Sequence, residues 1–164
     1  MVYLAIGLLV ILLTFAGVLL RGAPYLPTLR AQADAAFDML QLRPGQTLLE
    51  LGSGDGKVLV MAARRGLHAV GIELNPFLVI VSRLRTWRYR KQVRIIWGDM
   101  WQTQWPECDG VFTFLLGRFM PRLDGRMQRE RGGRKKPLAL ASVAFQIPGR
   151  KTAAEYHGVF LYKY

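Results

Sequence analysis

Thiols and imidazoles are scarce in this chain. Among 164 residues there is one cysteine, Cys108, and two histidines, His68 and His157. A single cysteine excludes an intramolecular disulfide, and a small buried or half-buried thiol is the expected role of Cys108. Three such residues make no Cys/His zinc set, and neither HExxH nor CxxC occurs, so no metal site is expected. Acidic side chains are the next shortage: 11 Asp and Glu stand against 23 Lys and Arg, a net charge of +12. That excess favours a polyanionic neighbour (nucleic acid, an anionic membrane surface or an acidic protein) and carries no information about fold. The length suits one domain with one core, and no internal repeat is visible.

What the N-terminal stretch lacks is charge. Val2 to Leu20, VYLAIGLLVILLTFAGVLL, contains none. As a helix it would span roughly 28 Å, close to the hydrocarbon thickness of a bilayer. Arg21 closes it, and Gly22 and Pro24 follow as helix breakers. A cleaved signal peptide would begin with basic residues and carry a shorter apolar run. A buried core helix would show a polar stripe. The reading is a transmembrane anchor over residues 1–20, a Pro-rich linker over 21–28 and one domain over 29–164. Arg21 and Arg30 beside the anchor place that domain in the cytoplasm by the positive-inside rule.

Beyond the linker, strand and helix signals alternate. Thr28 is expected to cap a helix running to about Leu42, with Leu29, Ala33, Ala36, Phe37 and Leu40 inward. Strands are expected at Thr47–Leu51, His68–Leu74, Val93–Trp97, Asp109–Leu116 and Leu138–Ile147. Helices are expected over Lys57–Arg65 and, in part, Gly117–Lys136. Another should start at Asn75-Pro76, a cap followed by proline at the first helical position, and bury Phe77, Ile80, Val81, Leu84 and Trp87. A hairpin should turn at His157-Gly158. The fold class is α/β: a mainly parallel sheet with helices on both faces and a C-terminal antiparallel hairpin, preceded by the anchor.

The informative segment is Glu50-Leu51-Gly52-Ser53-Gly54-Asp55-Gly56, where a strand ends, three glycines alternate and a helix begins. A dinucleotide fingerprint would need glycine at position 57, where Lys57 stands, and a Walker loop would need Ser or Thr after Lys57, where Val58 stands. The carboxylate of Glu50 beside the loop is poorly placed for a pyrophosphate. It suits a ligand carrying an ammonium group, as the methionine part of S-adenosylmethionine does. Glu73, 17 residues past Gly56 at the end of the second strand, can accept from both ribose hydroxyls, with Leu74 beside it. Asp99, after the third strand, can accept from the adenine amino group while Met100 packs on the ring. Singly, each acid reads as a solvated loop residue; on one sheet edge the three reinforce one another.

These motifs resemble those of class I methyltransferases. The resemblance is closest to the small membrane-anchored protein-lysine methyltransferases. Among these are the mitochondrial enzymes acting on the adenine nucleotide translocase and on the c-ring protein of ATP synthase, with bacterial relatives. It is carried by the N-terminal hydrophobic segment, Pro24-Tyr25-Leu26-Pro27-Thr28, Leu49 to Lys57, Gly71-Ile72-Glu73-Leu74-Asn75-Pro76 and an Arg-rich helix ending near Trp87-Arg88. It thins after Leu116. Glu50 stands where the family usually has Asp. The resemblance implies a Rossmann-like methyltransferase fold with S-adenosylmethionine held by Glu50, Gly52, Ser53, Gly54, Gly56, Glu73, Leu74, Asp99 and Met100. It also implies transfer to a lysine of a membrane protein, with Tyr25, Leu115 and Leu116 on the substrate side. No catalytic base is identified; Tyr25, Tyr156, His68 and His157 stay open.

Two basic clusters remain, Arg83 to Arg94 and Arg126 to Lys136. They read as solvated faces or as a surface for anionic lipid headgroups. No nucleic-acid module is recognisable, which argues against nucleic acid. The rival functions are a small-molecule or lipid methyltransferase acting on a quinone or an amino headgroup, and a non-catalytic membrane-bound binding module.

Overall fold

The computed structural model describes Met1, Val2, Leu4, Ile6, Gly7, Leu9, residues 27–133 and residues 136–164. The bulk of the expected anchor and linker, Tyr25 included, lies outside the described residues. So do Arg134 and Lys135 of the second basic cluster. No helix among the described residues is long and apolar enough to cross a membrane.

Four helices and seven strands follow in order: α1 (Arg30–Leu40), β1 (Thr47–Leu51), α2 (Lys57–Arg64), β2 (His68–Glu73), α3 (Pro76–Arg85), β3 (Val93–Trp97), β4 (Gly110–Thr113), α4 (Met120–Gly132), β5 (Ala139–Val143), β6 (Ala154–Tyr156) and β7 (Val159–Lys163). The sheet runs β3-β2-β1-β4-β5-β7-β6. β1 to β5 are mutually parallel, and β7 lies antiparallel between β5 and β6. The chain builds outward from β1 to β3, then returns to β4 on the other side of β1. That reversal opens a crevice at the carboxyl ends of β1 and β4, where α/β proteins of this kind bind ligands. The expected parallel sheet with a C-terminal hairpin is present, and the hairpin turns at His157-Gly158 with φ of 50° and 70°.

Alternation along β1 sends Leu48 to one face and Leu49 and Leu51 to the other. On the first face, Ala33, Ala36 and Phe37 of α1 and Val58, Leu59 and Ala62 of α2 close a core. On the second, Met120, Leu123 and Met127 of α4 pack on Leu49, Leu51, Val111 and Leu140. Each such fully buried side chain contributes about 1.5–3 kcal/mol. Cys108 is half-buried against this second core.

Three expectations are corrected. Leu29, not Thr28, is the N-cap of α1, no side chain caps that helix, and Leu29 is 65% exposed. β4 and β5 stop at Thr113 and Val143, because the apolar residues after them belong to buried loops rather than to the ladder. The third is the rotation of α3. Leu78, Val79 and Ser82 face the sheet, with Thr86 just beyond the helix also buried; Phe77, Ile80, Leu84 and Trp87 are exposed. The inward line contains two hydroxyl residues, which hydropathy reads as the polar side. Ser82 is inward because a small residue is needed there: even a Cβ on Gly56 would overlap its Oγ. The Thr86 hydroxyl is satisfied within the helix, donating to the Ser82 carbonyl at 2.8 Å.

Candidate active site

The glycine loop leaves β1 as a tight turn fastened to β2. The amides of Gly52 and Ser53 donate to the Ile72 carbonyl at 2.9 and 3.1 Å, and the Gly54 amide donates to Glu73 Oε2 at 2.8 Å. Gly52 has φ 73°, a conformation that costs an L-residue about 1–2 kcal/mol, and the space where its Cβ would stand is open. Gly56, φ 78°, starts α2 against Ser82. On β2, Gly71 lets the loop approach, since a Cβ there would lie 2.5 Å from Ser53 Oγ.

Glu50 is buried beneath this loop, and its Oε2 finds no hydrogen-bond partner among the described residues. Burial first, then repulsion from Glu73 and from Asp55, pushes its carboxyl well above the ordinary range. Such a group holds a proton or awaits a cation. Glu73 is also buried and raised by burial, although the amides of Asn75 and Gly54 oppose the shift. Its Oε1 accepts from the Asn75 amide at 2.8 Å. Each of its oxygens thus keeps a second lone pair for a hydroxyl. Ser53 Oγ and Asn75 Nδ2 are further buried polar atoms without a partner among the described residues.

Glu50, Gly52, Ser53, Gly54, Gly56 and Glu73 therefore form one compact unit. Along the same edge, the Gly98 amide donates to the Glu73 carbonyl at 2.9 Å and brings Asp99 next in line. Asp99 Oδ1 accepts from the Trp101 amide at 2.8 Å, which fixes its turn. Met100 packs on the core beside it, and the Leu74 carbonyl accepts from Trp97 Nε1 at 3.1 Å. The residues present fit a ligand with an ammonium group at Glu50, vicinal hydroxyls at Glu73 and a planar base toward Asp99 and Met100.

The other half of the edge differs from expectation. Leu115 turns into the core, 3% exposed, and so does not line the substrate side, whereas Leu116 is half-buried at the mouth. Phe145, after β5, packs over Gly117. Because β7 is antiparallel to β5, the Tyr156-His157-Gly158 turn also lies at this edge; the Ala144 amide donates to the Gly158 carbonyl at 2.8 Å. Tyr156 and His157 are exposed, with rings 4.1 Å apart edge to face. His68 begins β2, at the opposite edge, and is removed from the candidate bases. Sequence reasoning also misses the Lys57 Nζ bond to the Thr28 carbonyl, 3.0 Å, which fastens the segment ahead of α1 to the helix after the glycine loop. The only local signal is a lysine where a dinucleotide motif has glycine. In the second basic cluster, Arg126 is an internal tie, donating to the carbonyls of Trp101 and Thr103.

The family model for the ANTKMT methyltransferase domain matches residues 50–154. The chain is 37% identical over 109 residues to a lysine N-methyltransferase of Xenopus laevis named for the c-ring protein of ATP synthase, a match covering 65% of this chain and 48% of that protein. It is 34% identical over 110 residues to the adenine nucleotide translocase lysine N-methyltransferase of Mus musculus, covering 65% and 48%. The chain thus spans about half the length of these relatives. Among solved structures, an RNA methyltransferase from Salinibacter ruber in complex with S-adenosyl-L-homocysteine superposes with TM-score 0.73 at 24% identity, covering 85% of this chain and 92% of that one. That likeness establishes the fold. With a family match extending from Glu50 into β6, the chain belongs to the ANTKMT methyltransferase domain family.

Proposed function

We propose that this chain is an S-adenosylmethionine-dependent methyltransferase that modifies a lysine side chain of a membrane protein. The observation that carries the cofactor reading is Glu50: a buried carboxyl with an unpartnered oxygen beneath a glycine loop that has open space at Gly52. Glu50, Gly52, Ser53, Gly54 and Gly56 would hold the methionine part, Glu73 and Leu74 the ribose, and Asp99 and Met100 the adenine. When bound, the cofactor supplies a methyl group on a positively charged sulfur, which is already a good leaving group. The protein's share is then orientation and exclusion of water. A lysine amine must be neutral to attack, and with a pKa of about 10.4 only about one in a thousand is neutral near pH 7.4. A dry site in a strongly cationic domain favours the neutral form by desolvation and like-charge repulsion.

Lysine as the acceptor rests on the activities of the relatives, and a membrane protein as the substrate rests on the same relatives. Attachment to the membrane rests on residues 1–20. The described residues there, Val2, Leu4, Ile6 and Leu9, have helical backbone and exposed side chains, so the domain does not cover them. The short Pro-containing linker would then hold the active site near the headgroups on the cytoplasmic side, in reach of anionic lipid, and raise the effective concentration of a target in the same membrane.

The test uses labelled S-adenosylmethionine with membrane and soluble fractions from cells lacking the protein. Label is expected on lysines of membrane protein. Label confined to soluble protein, nucleic acid or extractable lipid would reject the acceptor while leaving the cofactor assignment standing.

A further inference from the structure

Helix α3 turns its more apolar side to solvent. Ile80 is 58% exposed, Leu84 72% and Trp87, just past its end, 64%. They follow at spacings of four and three, one stripe along the outer face. Trp97, at the end of edge strand β3, is 64% exposed and is tied through Nε1 to the carbonyl of Leu74, just ahead of α3. No described element covers this face. Its charge has one sign. From Asn75 to Gly98 there are six cations (Arg83, Arg85, Arg88, Arg90, Lys91 and Arg94), all exposed, and no Asp or Glu. Arg85 alone among them reaches an acid, Asp55 of the glycine loop.

We infer that the α3 face docks on an anionic phospholipid surface, with Ile80, Leu84 and the two indoles entering the headgroup layer and the arginines engaging phosphate. The inference rests on the membrane setting proposed above and names the surface that meets it. An apolar stripe bordered by arginine, with tryptophan at its margin, is the chemistry an interfacial helix needs. A second copy of the chain does not fit, because it would set cations against cations. Nucleic acid would satisfy the arginines but gives nothing to Ile80 and Leu84. Placement gives the docking a use. α3 begins just after Glu73, and Trp97 pairs with Glu73 across the sheet. A docked α3 therefore sets the cofactor edge at headgroup depth, where a lysine at the surface of a membrane protein would be presented.

The test reconstitutes the full chain into vesicles whose acyl chains carry bromine near the headgroups, and reads tryptophan emission. Trp101 and Trp105 are half-buried and buried in the second core, so Trp87 and Trp97 dominate contact quenching. Quenching is expected in vesicles containing phosphatidylglycerol and is expected to be lost in pure phosphatidylcholine. It should also be lost in the double variant Ile80→Asp, Leu84→Asp, and reduced in Trp87→Phe. Flotation after a carbonate wash reports separately on the N-terminal segment. A chain stripped by carbonate yet quenched at neutral pH would retire the anchor and keep the face. Three results would overturn the inference: no quenching in anionic vesicles while the chain still floats, equal quenching in the aspartate variant, or emission shielded within a crosslinked dimer. Circular dichroism of the variant guards against misfolding, and both substitutions are at exposed positions.

Discussion

The two halves of the sheet edge are built differently. From Glu50 to Asp99, backbone amides and carboxylates interlock: Gly54 and Asn75 amides on Glu73, the Gly98 amide on its carbonyl, the Trp101 amide on Asp99. From Leu116 to Gly158, the edge is made of apolar and aromatic side chains on loops, joined by a backbone bond between Ala144 and Gly158. The first half is preorganised for a ligand of fixed structure. The second is a rim that can vary with the acceptor. Substitutions in the first half should therefore be costly and shared by every substrate, and those in the second mild and substrate-dependent.

The largest effect is expected at Gly56. Alanine there overlaps Ser82 Oγ, lies 3.3 Å from the Ser82 backbone and must adopt φ 78°. The left-handed backbone costs about 1–2 kcal/mol and the overpacking about 1–3 kcal/mol. Gly56→Ala should lower stability by about 3 kcal/mol in urea denaturation and lose cofactor binding. A stable, binding-competent variant would show that the α2–α3 contact yields easily and that the first half is less rigid than its hydrogen bonds imply.

Next comes Glu73→Ala. It removes the acceptor for two ribose hydroxyls and leaves the Gly54 and Asn75 amides unsatisfied. Binding of S-adenosyl-L-homocysteine should weaken by about 1.5–3 kcal/mol, roughly ten- to a hundredfold, by titration calorimetry. Equal affinity would remove Glu73 from the site.

Glu50 gives the comparison a pH dependence. Its folded carboxyl lies above the unfolded value of about 4.3. Stability contributed by that group is therefore complete below the unfolded value and is lost as pH rises through the raised one. Without cofactor, Glu50→Gln should match or fall behind the natural chain in acid and exceed it in stability toward neutral pH, as followed by thermal unfolding across pH. An ammonium arriving beside Glu50 favours its ion, so cofactor binding should release a proton. The heat of binding will then depend on the buffer's ionisation enthalpy in the natural chain and not through this group in Glu50→Gln. Buffer-independent heats for both would place the ammonium elsewhere.

The same contrast explains what the sequence discloses. The strand-loop-helix at Glu50 to Lys57, the acid ending β2, the Asn75-Pro76 start of α3 and the His157-Gly158 turn are local. Each is a requirement of nearby backbone, and each is legible. Sequence reasoning fails where the deciding contact is remote. Apolar residues occupy both sides of α3, so periodicity cannot choose a face; Gly56, on another helix, makes the choice by requiring Ser82. Leu115 extends an apolar run and reads as part of β4 on the substrate side, yet it packs into the core with α4. Lys57 gives no sign that it holds Thr28. The rim residues Phe145 and Tyr156 reach the edge only through the antiparallel return of β7, which no short pattern encodes.

The smallest effect on stability should come from the rim, at His157. Its φ of 50° is left-handed, and Gly158 follows at 70°, the geometry of a two-residue hairpin turn with both central residues left-handed. His157→Gly relieves roughly 1 kcal/mol of backbone cost. It also loosens the unfolded chain by about 0.5–1 kcal/mol. The two nearly cancel, so stability should change little, and cofactor affinity, set in the other half, should not change. The ring beside Tyr156 is nevertheless gone from the acceptor edge. If that edge receives the methyl acceptor, KM for the acceptor should rise in His157→Gly while the affinity for S-adenosyl-L-homocysteine stays constant. Unchanged acceptor kinetics would make the Tyr156–His157 pair a turn and nothing more, and would shift the acceptor side toward Leu116 and Phe145. A loss of cofactor affinity would break the comparison itself, since it would couple a rim held by loop packing to a cofactor half held by amides and carboxylates.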